Sequence, residues 1–153
     1  MTRLLGIDLG ERRIGIAIAD STTGEIRPLT TLHRSTPVRD GASIGRLAAE
    51  QHAHEIVIGL PLMLDGSVGE QASATRDWAR QALADSPLPI RWRDERLTTE
   101  RAIGRVGKPA RGAAGGPPSA AARRAYRARL DREAAAYILQ AELDERATSG
   151  ERP

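Results

Sequence analysis

Asp8, the adjacent pair Asp94 and Glu95, and Asp131 are the residues of this chain whose type and placement suit catalysis. Asp8 closes the strand-like run Arg3-Leu4-Leu5-Gly6-Ile7, and the Asp94–Glu95 pair closes a second run, Ile90 to Arg93. Asp131 follows Leu130 in the first turn of a segment with helical periodicity, so it falls at the margin of a core-facing helix. Carboxylates gathered from distant parts of a chain repel one another unless they share a proton or a cation. Oxygen ligands without Cys or His favour Mg²⁺ or Mn²⁺ over zinc. Two such ions about 4 Å apart activate a water and stabilise the leaving oxygen of a phosphodiester. The chemistry expected of this set is metal-dependent phosphodiester hydrolysis. Each acid also has a plainer reading. Asp8 suits a turn in Asp8-Leu9-Gly10, Glu95 a salt bridge to Arg93 or Arg96, and Asp131 the favourable dipole near a helix N-terminus.

The elements that must position these acids can be read from periodicity. Ile14 to Ala19 alternates large and small residues as a second strand would, and Arg27 to Leu32 gives a third. Turns this short join the first three strands into an antiparallel meander. Ile44, Leu47 and Ala48 recur at helical spacing after Asp40, which can serve as N-cap. Glu55 to Gly59 is a continuous β-branched strand, buried on both faces. Ser67 and Glu70 have the spacing of a capping box, opening a helix with Ala72, Thr75, Ala79 and Leu83 on one face. Thr98 can cap a short helix through Ile103. The last helix presents Leu130, Ala134, Tyr137, Ile138 and Ala141 to the core, and the charged tail from 146 to 153 is expected to fray. Residues 104–121 are crowded with Gly and Pro and predict a long loop of functional or disordered character.

The expected architecture is one α/β domain over residues 1–145, a five-stranded mixed sheet with helices packed on it. The meander leads into right-handed β-α-β units. Strands one, four and five then run in the same direction, and their C-terminal ends share the edge at which open α/β sheets bind ligands.

Composition narrows the function. The 153 residues contain no cysteine, which excludes disulfides and thiolate zinc sites. The three histidines are too few and scattered for a zinc site, and His52 and His54 read as solvated residues at a helix end. The longest apolar run, Ile56 to Leu64, is broken by Gly59 and Pro61 and falls far short of the ~20 residues of a membrane span. The N-terminal segment lacks signal-peptide character, so a cytoplasmic location is expected. Residues 101–132 carry nine Lys or Arg and one acid, a local charge of +8 against −5 for the remainder of a chain of net +3. Such a block points to a polyanion partner, or on the plainer reading to a solvated segment that aids solubility. Aromatics are only 3% of the chain, which argues against a base-stacking platform. Arg123, Arg124, Arg127 and Arg129 are expected to contact a nucleic-acid backbone by charge, and Arg13 either to hold a phosphate or to pair with Glu11. Gly6, Gly15 and Gly59 are expected to permit close packing, and Asp20 and Asp65 to make turns.

Four motifs in order carry a resemblance. They are Gly6-Ile7-Asp8-Leu9-Gly10 with Arg13-Ile14-Gly15-Ile16-Ala17; Ile56-Val57-Ile58-Gly59-Leu60-Pro61; Asp94-Glu95-Arg96-Leu97-Thr98-Thr99; and Asp131 with Ala134-Ala135 and Ile138-Leu139-Gln140. Over roughly residues 3 to 145 the chain resembles the YqgF family, Holliday-junction-resolvase-like proteins also described as pre-16S ribosomal RNA nucleases. The resemblance implies a ribonuclease H-like fold with the first strand central. It implies Asp8, Glu95 and Asp131 as metal-binding carboxylates, and trimming of the 5′ end of pre-16S ribosomal RNA as the activity, with branched DNA as a possible substrate. One departure concerns strand four, which ends in Gly59-Leu60-Pro61 without the acid that junction resolvases carry there. The third ligand then comes from the Asp94–Glu95 pair; alternation lets one of the two face the metal, with Glu95 the choice and Asp94 the fallback.

Two other classes compete. A phosphotransfer ATPase of the actin and sugar-kinase type also begins with a strand and an Asp-x-Gly turn, but it needs a second domain for which this chain is too short. A catalytically silent module could keep the fold to scaffold RNA. The chain alone leaves monomer and homodimer open.

Overall fold

A computed structural model describes residues 2–94 and 115–150. The strands are β1 (Arg3–Leu9), β2 (Arg13–Asp20), β3 (Ile26–His33), β4 (Glu55–Leu60) and β5 (Ile90–Asp94); the helices are α1 (Pro37–Glu50), α2 (Glu70–Ala82) and α3 (Ala120–Thr148). One sheet results, in the order β3-β2-β1-β4-β5. β1 is central, antiparallel to β2 and parallel to β4, and β4 is parallel to β5. The meander, the crossovers and the shared C-terminal rim of β1, β4 and β5 are those expected from the sequence. The short helix expected from Thr98, and residues 104–114 of the expected loop, lie outside the described residues.

The large–small alternation of β2 decides how the helices pack. Ile14, Ile16 and Ile18 point to one face with Leu5, Ile7, Leu9, Ile56 and Ile58, where they meet Ile44 and Ala48 of α1, Trp78 and Ala79 of α2, and Leu83 just past its end. Ala17 and Ala19 point to the other face with Leu4 and Val57, under Ala135, Ala136, Ile138 and Leu139 of α3. The bulky face holds two helices at ordinary distance. The small face lets a single alanine-rich helix lie almost on the backbone. At Gly6 a β-carbon would crowd the Leu139 side chain and come within 3.0 Å of the Ala135 carbonyl oxygen.

Several local expectations are corrected. Asp40 is not the N-cap of α1. Thr36 accepts from the Arg39 N–H, with Pro37 in the first turn, where a missing N–H costs nothing. Asp40 is instead buried, accepting from the Trp78 indole N–H at 3.1 Å and the Ser35 N–H at 2.8 Å. The capping box at Ser67 does not form, because Ser67 gives both its N–H and its hydroxyl to Asp65, and α2 starts at Glu70 with Gly69 as N-cap. Leu130, Tyr137 and Ala141 are only half-buried, and Ala135, Ala136, Leu139 and Glu142 join Ala134 and Ile138 on the buried face of α3.

The tail expected to fray from 146 is helical through Thr148. Arg146 donates to both oxygens of Glu55, at 3.0 and 2.9 Å, and to buried Glu142 at 2.7 Å. The Glu55 hydrogen bonds, followed by that to Glu142, raise the guanidinium pKa above its usual value against the opposing effect of burial. Arg91 and Arg93 of β5 approach the same Glu142 from the other side. This cluster fastens the C-terminal half of α3 to β4 and β5.

Candidate active site

Asp8 is the next-to-last residue of β1 and half-buried. Alternation puts it on the face of Leu4 and Gly6, beneath α3. Its cross-strand neighbour is Gly15, and directly opposed residues of an antiparallel pair share a face. A β-carbon on Gly15 would fall onto the backbone carbonyl oxygen of Asp131. The missing side chain therefore lets the backbone of α3 touch down at Asp131 beside the strand position of Asp8, 123 residues earlier in the sequence.

The Asp131 carboxylate is fixed in place. Arg13, the first residue of β2, donates from Nε to its Oδ2 at 2.5 Å, and both side chains are largely shielded. The expectation that Arg13 pairs with Glu11 is thereby corrected. One turn before Asp131, Thr31 of β3 donates to the Ala128 carbonyl oxygen at 2.6 Å, which steers the N-terminal half of α3 across the meander.

Arg127 and Asp131, one helical turn apart, face the β1–β2 turn. With Gly10, Glu11, Arg12 and Arg13 they line a polar depression of 310 Å³. Arg123, Arg124 and Arg129 are exposed on the same half of α3; Arg123 donates to the Pro118 carbonyl oxygen at 2.9 Å. Arg101, Arg105, Lys108 and Arg111 of the basic block lie outside the described residues.

Asp94 is exposed and ends β5 opposite Leu60 of β4, on the Trp92 side of the sheet, away from α3. Glu95 lies outside the described residues. Among the described residues no three His, Asp or Glu side chains form a metal-holding group; of the three expected carboxylates, Asp8 and Asp131 stand on elements that touch at Gly15. Sequence reasoning missed Arg12 as a wall of the depression and Arg13 as the partner of Asp131. No local spacing could have linked residues 118 apart.

A five-stranded sheet with a central first strand, crossed on one face by a long C-terminal helix, has the ribonuclease H-like class of fold. The chain belongs to the RuvX family, described as Holliday junction resolvase, whose model matches residues 2–145. This bears out the resemblance read from the four motifs.

Among curated relatives, a protein of Moorella thermoacetica named "Putative pre-16S rRNA nuclease" is 38% identical over 148 residues, covering 97% of this chain and 99% of that one. A protein of the same name from Anaeromyxobacter dehalogenans is 39% identical over 145 residues, covering 95% and 98%. Among solved structures, Thermus thermophilus RuvC in complex with a Holliday junction substrate is similar in fold, with a TM-score of 0.54 at 15% identity over 99% of this chain and 98% of that one. The fowlpox virus Holliday junction resolvase has a TM-score of 0.50 at 12% identity over 97% and 99%. No described helix is long and apolar enough to cross a membrane.

Proposed function

We propose that this protein is a divalent-metal-dependent nuclease that hydrolyses RNA phosphodiesters, acting in 5′-end processing of pre-16S ribosomal RNA. The observation that supports the reading is the approach of the Asp131 backbone to Gly15, the cross-strand neighbour of Asp8. The donor set fits a hard cation. Both groups are carboxylates, and Arg13 takes only Oδ2 of Asp131, leaving Oδ1 without a hydrogen-bond partner among the described residues. Asp8 and Asp131 would hold Mg²⁺ or Mn²⁺ together with Glu95, preferred to Asp94 because Asp94 lies on the Trp92 side of the sheet, away from α3. A bound ion of this kind supplies charge stabilisation for phosphodiester displacement.

The chain's own residues do the rest. β1, hydrogen-bonded on both sides, keeps Asp8 rigid. Arg13 sets the direction of the Asp131 carboxylate. Arg127 and its basic neighbours on α3 hold the substrate backbone through charge. The names of the curated relatives favour RNA as substrate. The family description favours branched DNA as the second reading; paired nicks in a junction would require two active sites and hence a dimer.

The test is cleavage of a single-stranded RNA and of a four-way DNA junction, with and without Mg²⁺ or Mn²⁺, by the wild type and by Asp8→Asn. RNA cleavage that requires metal and is lost in Asp8→Asn is the expected result. Cleavage of the junction alone supports the resolvase reading. Undiminished RNA binding with no cleavage of either substrate would leave a silent binding module.

A further inference from the structure

Arg12 and Arg127 face the depression beside Asp131 from opposite walls, one on the β1–β2 turn and the other on α3. Both are exposed, and neither side chain makes a hydrogen bond or ion pair among the described residues. The other charged groups lining the space are Arg13, Glu11 and Asp131. Because Arg13 is bound to Asp131, that carboxylate is compensated, and guanidiniums outnumber carboxylates around the space. Gly10 donates its N–H to the Arg13 carbonyl oxygen at 2.8 Å, and a β-carbon there would come within 3.0 Å of the same oxygen, so the turn that carries Arg12 closes tightly.

The geometry points to this depression as a subsite for one backbone phosphate of single-stranded nucleic acid, adjacent to the phosphate that is cut, with Arg12 and Arg127 as opposing clamps. The assignment rests on the nuclease reading and deepens it. A planar guanidinium fork matches phosphate oxygens in bidentate fashion, and two forks on opposing walls fix a phosphate in position. Asp131 forms the boundary between the two compartments. On one side its backbone rests at Gly15 beside Asp8; on the Arg12 side the Arg13 ion pair screens its charge from an approaching anion. A strand lying along the Arg123, Arg124 and Arg127 half of α3 would therefore place one phosphate in the depression and the next over the end of β1. Arg12, which no motif singles out, becomes a positioning residue for the cut.

The test uses the full chain in EDTA, where no cleavage intervenes. Binding of a fluorescent single-stranded RNA is followed by anisotropy over a range of KCl concentrations. Arg12→Gln and Arg127→Gln are each expected to weaken binding by about tenfold at low salt, and to reduce the slope of log affinity against log salt by about 0.7, the value for one phosphate of a single strand. Because one phosphate is shared, the double variant should lower the slope no further than either single variant. Arg46→Gln, on α1 at the opposite face of the sheet, removes the same charge and should leave the slope unchanged. Slopes for Arg12→Gln and Arg127→Gln matching that of Arg46→Gln would overturn the subsite while leaving the nuclease reading intact. A double variant with twice the slope change would overturn the shared phosphate. Failure of the wild type to bind RNA at all would overturn both readings.

Discussion

Asp131 owes its position to two neighbours that contribute no carboxylate of their own. Gly15 lets the backbone of α3 descend to the sheet, and Arg13 fixes the direction of the acid once it arrives. Gly15→Ala should therefore act on both fold and site. The added methyl meets backbone, which no rotamer change relieves, so α3 must lift. A loss of about 2–3 kcal/mol in urea unfolding is expected, within the range for overpacking, and the folded fraction should still cleave more slowly than wild type. Asp131→Asn keeps the size of the side chain and an acceptor for Arg13 but removes the charge. Cleavage should fall at least hundredfold, about 2.7 kcal/mol of transition-state stabilisation, with the urea midpoint near that of wild type. Equal losses of stability and activity in Asp131→Asn would show the residue to be structural. At this scale Asp131, expected in the first turn of its helix, lies well inside α3, which begins at Ala120, while the position of Asp8 at the end of a buried strand was legible in the sequence. The Arg13–Asp131 pair was not, since nothing local to either residue encodes a contact across the fold.

At the level of elements, α3 is pinned at both ends while its middle lies on a floor of small residues. The pin at the β5 end is ionic. Glu142 is 1% exposed, and Arg146 is its closest charged partner. Arg146→Met leaves that carboxylate buried, with Arg93 and Arg91 at 3.7 and 3.4 Å. The variant should lose about 2–3 kcal/mol, below the full cost of unpairing a buried ion because those cations remain. On the other face, Trp78→Phe removes the indole donor from buried Asp40 and should cost about 1–3 kcal/mol. An unchanged urea midpoint in either variant would contradict these roles. The alternation of β2 was legible, and with it the division of the sheet into a bulky face and a tight one. Helix starts were read less well, for a physical reason: a polar residue at capping spacing has several possible partners. Asp40 is taken by Trp78 and Ser67 by Asp65, while Thr36 with Pro37 supplies the real start of α1. The persistence of α3 to Thr148 depends on Glu55, 91 residues before Arg146, which helix periodicity alone could not reveal.

The whole molecule separates its functions by face. α1 and α2 close the bulky side of the sheet, and α3 brings both the third acid and the described basic residues to the other. The parallel alignment of β1 and β4, predicted from the β-α-β order, places the end of β1 at the rim where the chemistry is proposed. Chemistry at this rim depends on its binding a cation through side chains that come together only in the folded chain. Mn²⁺ titration of the intact protein by calorimetry, repeated with Asp8→Asn and Asp131→Asn, tests this most directly. Saturable binding to the wild type, weakened at least tenfold by either substitution as ligand charge is lost, is the predicted result. Equal Mn²⁺ affinity in all three proteins, or none in the wild type, would contradict it.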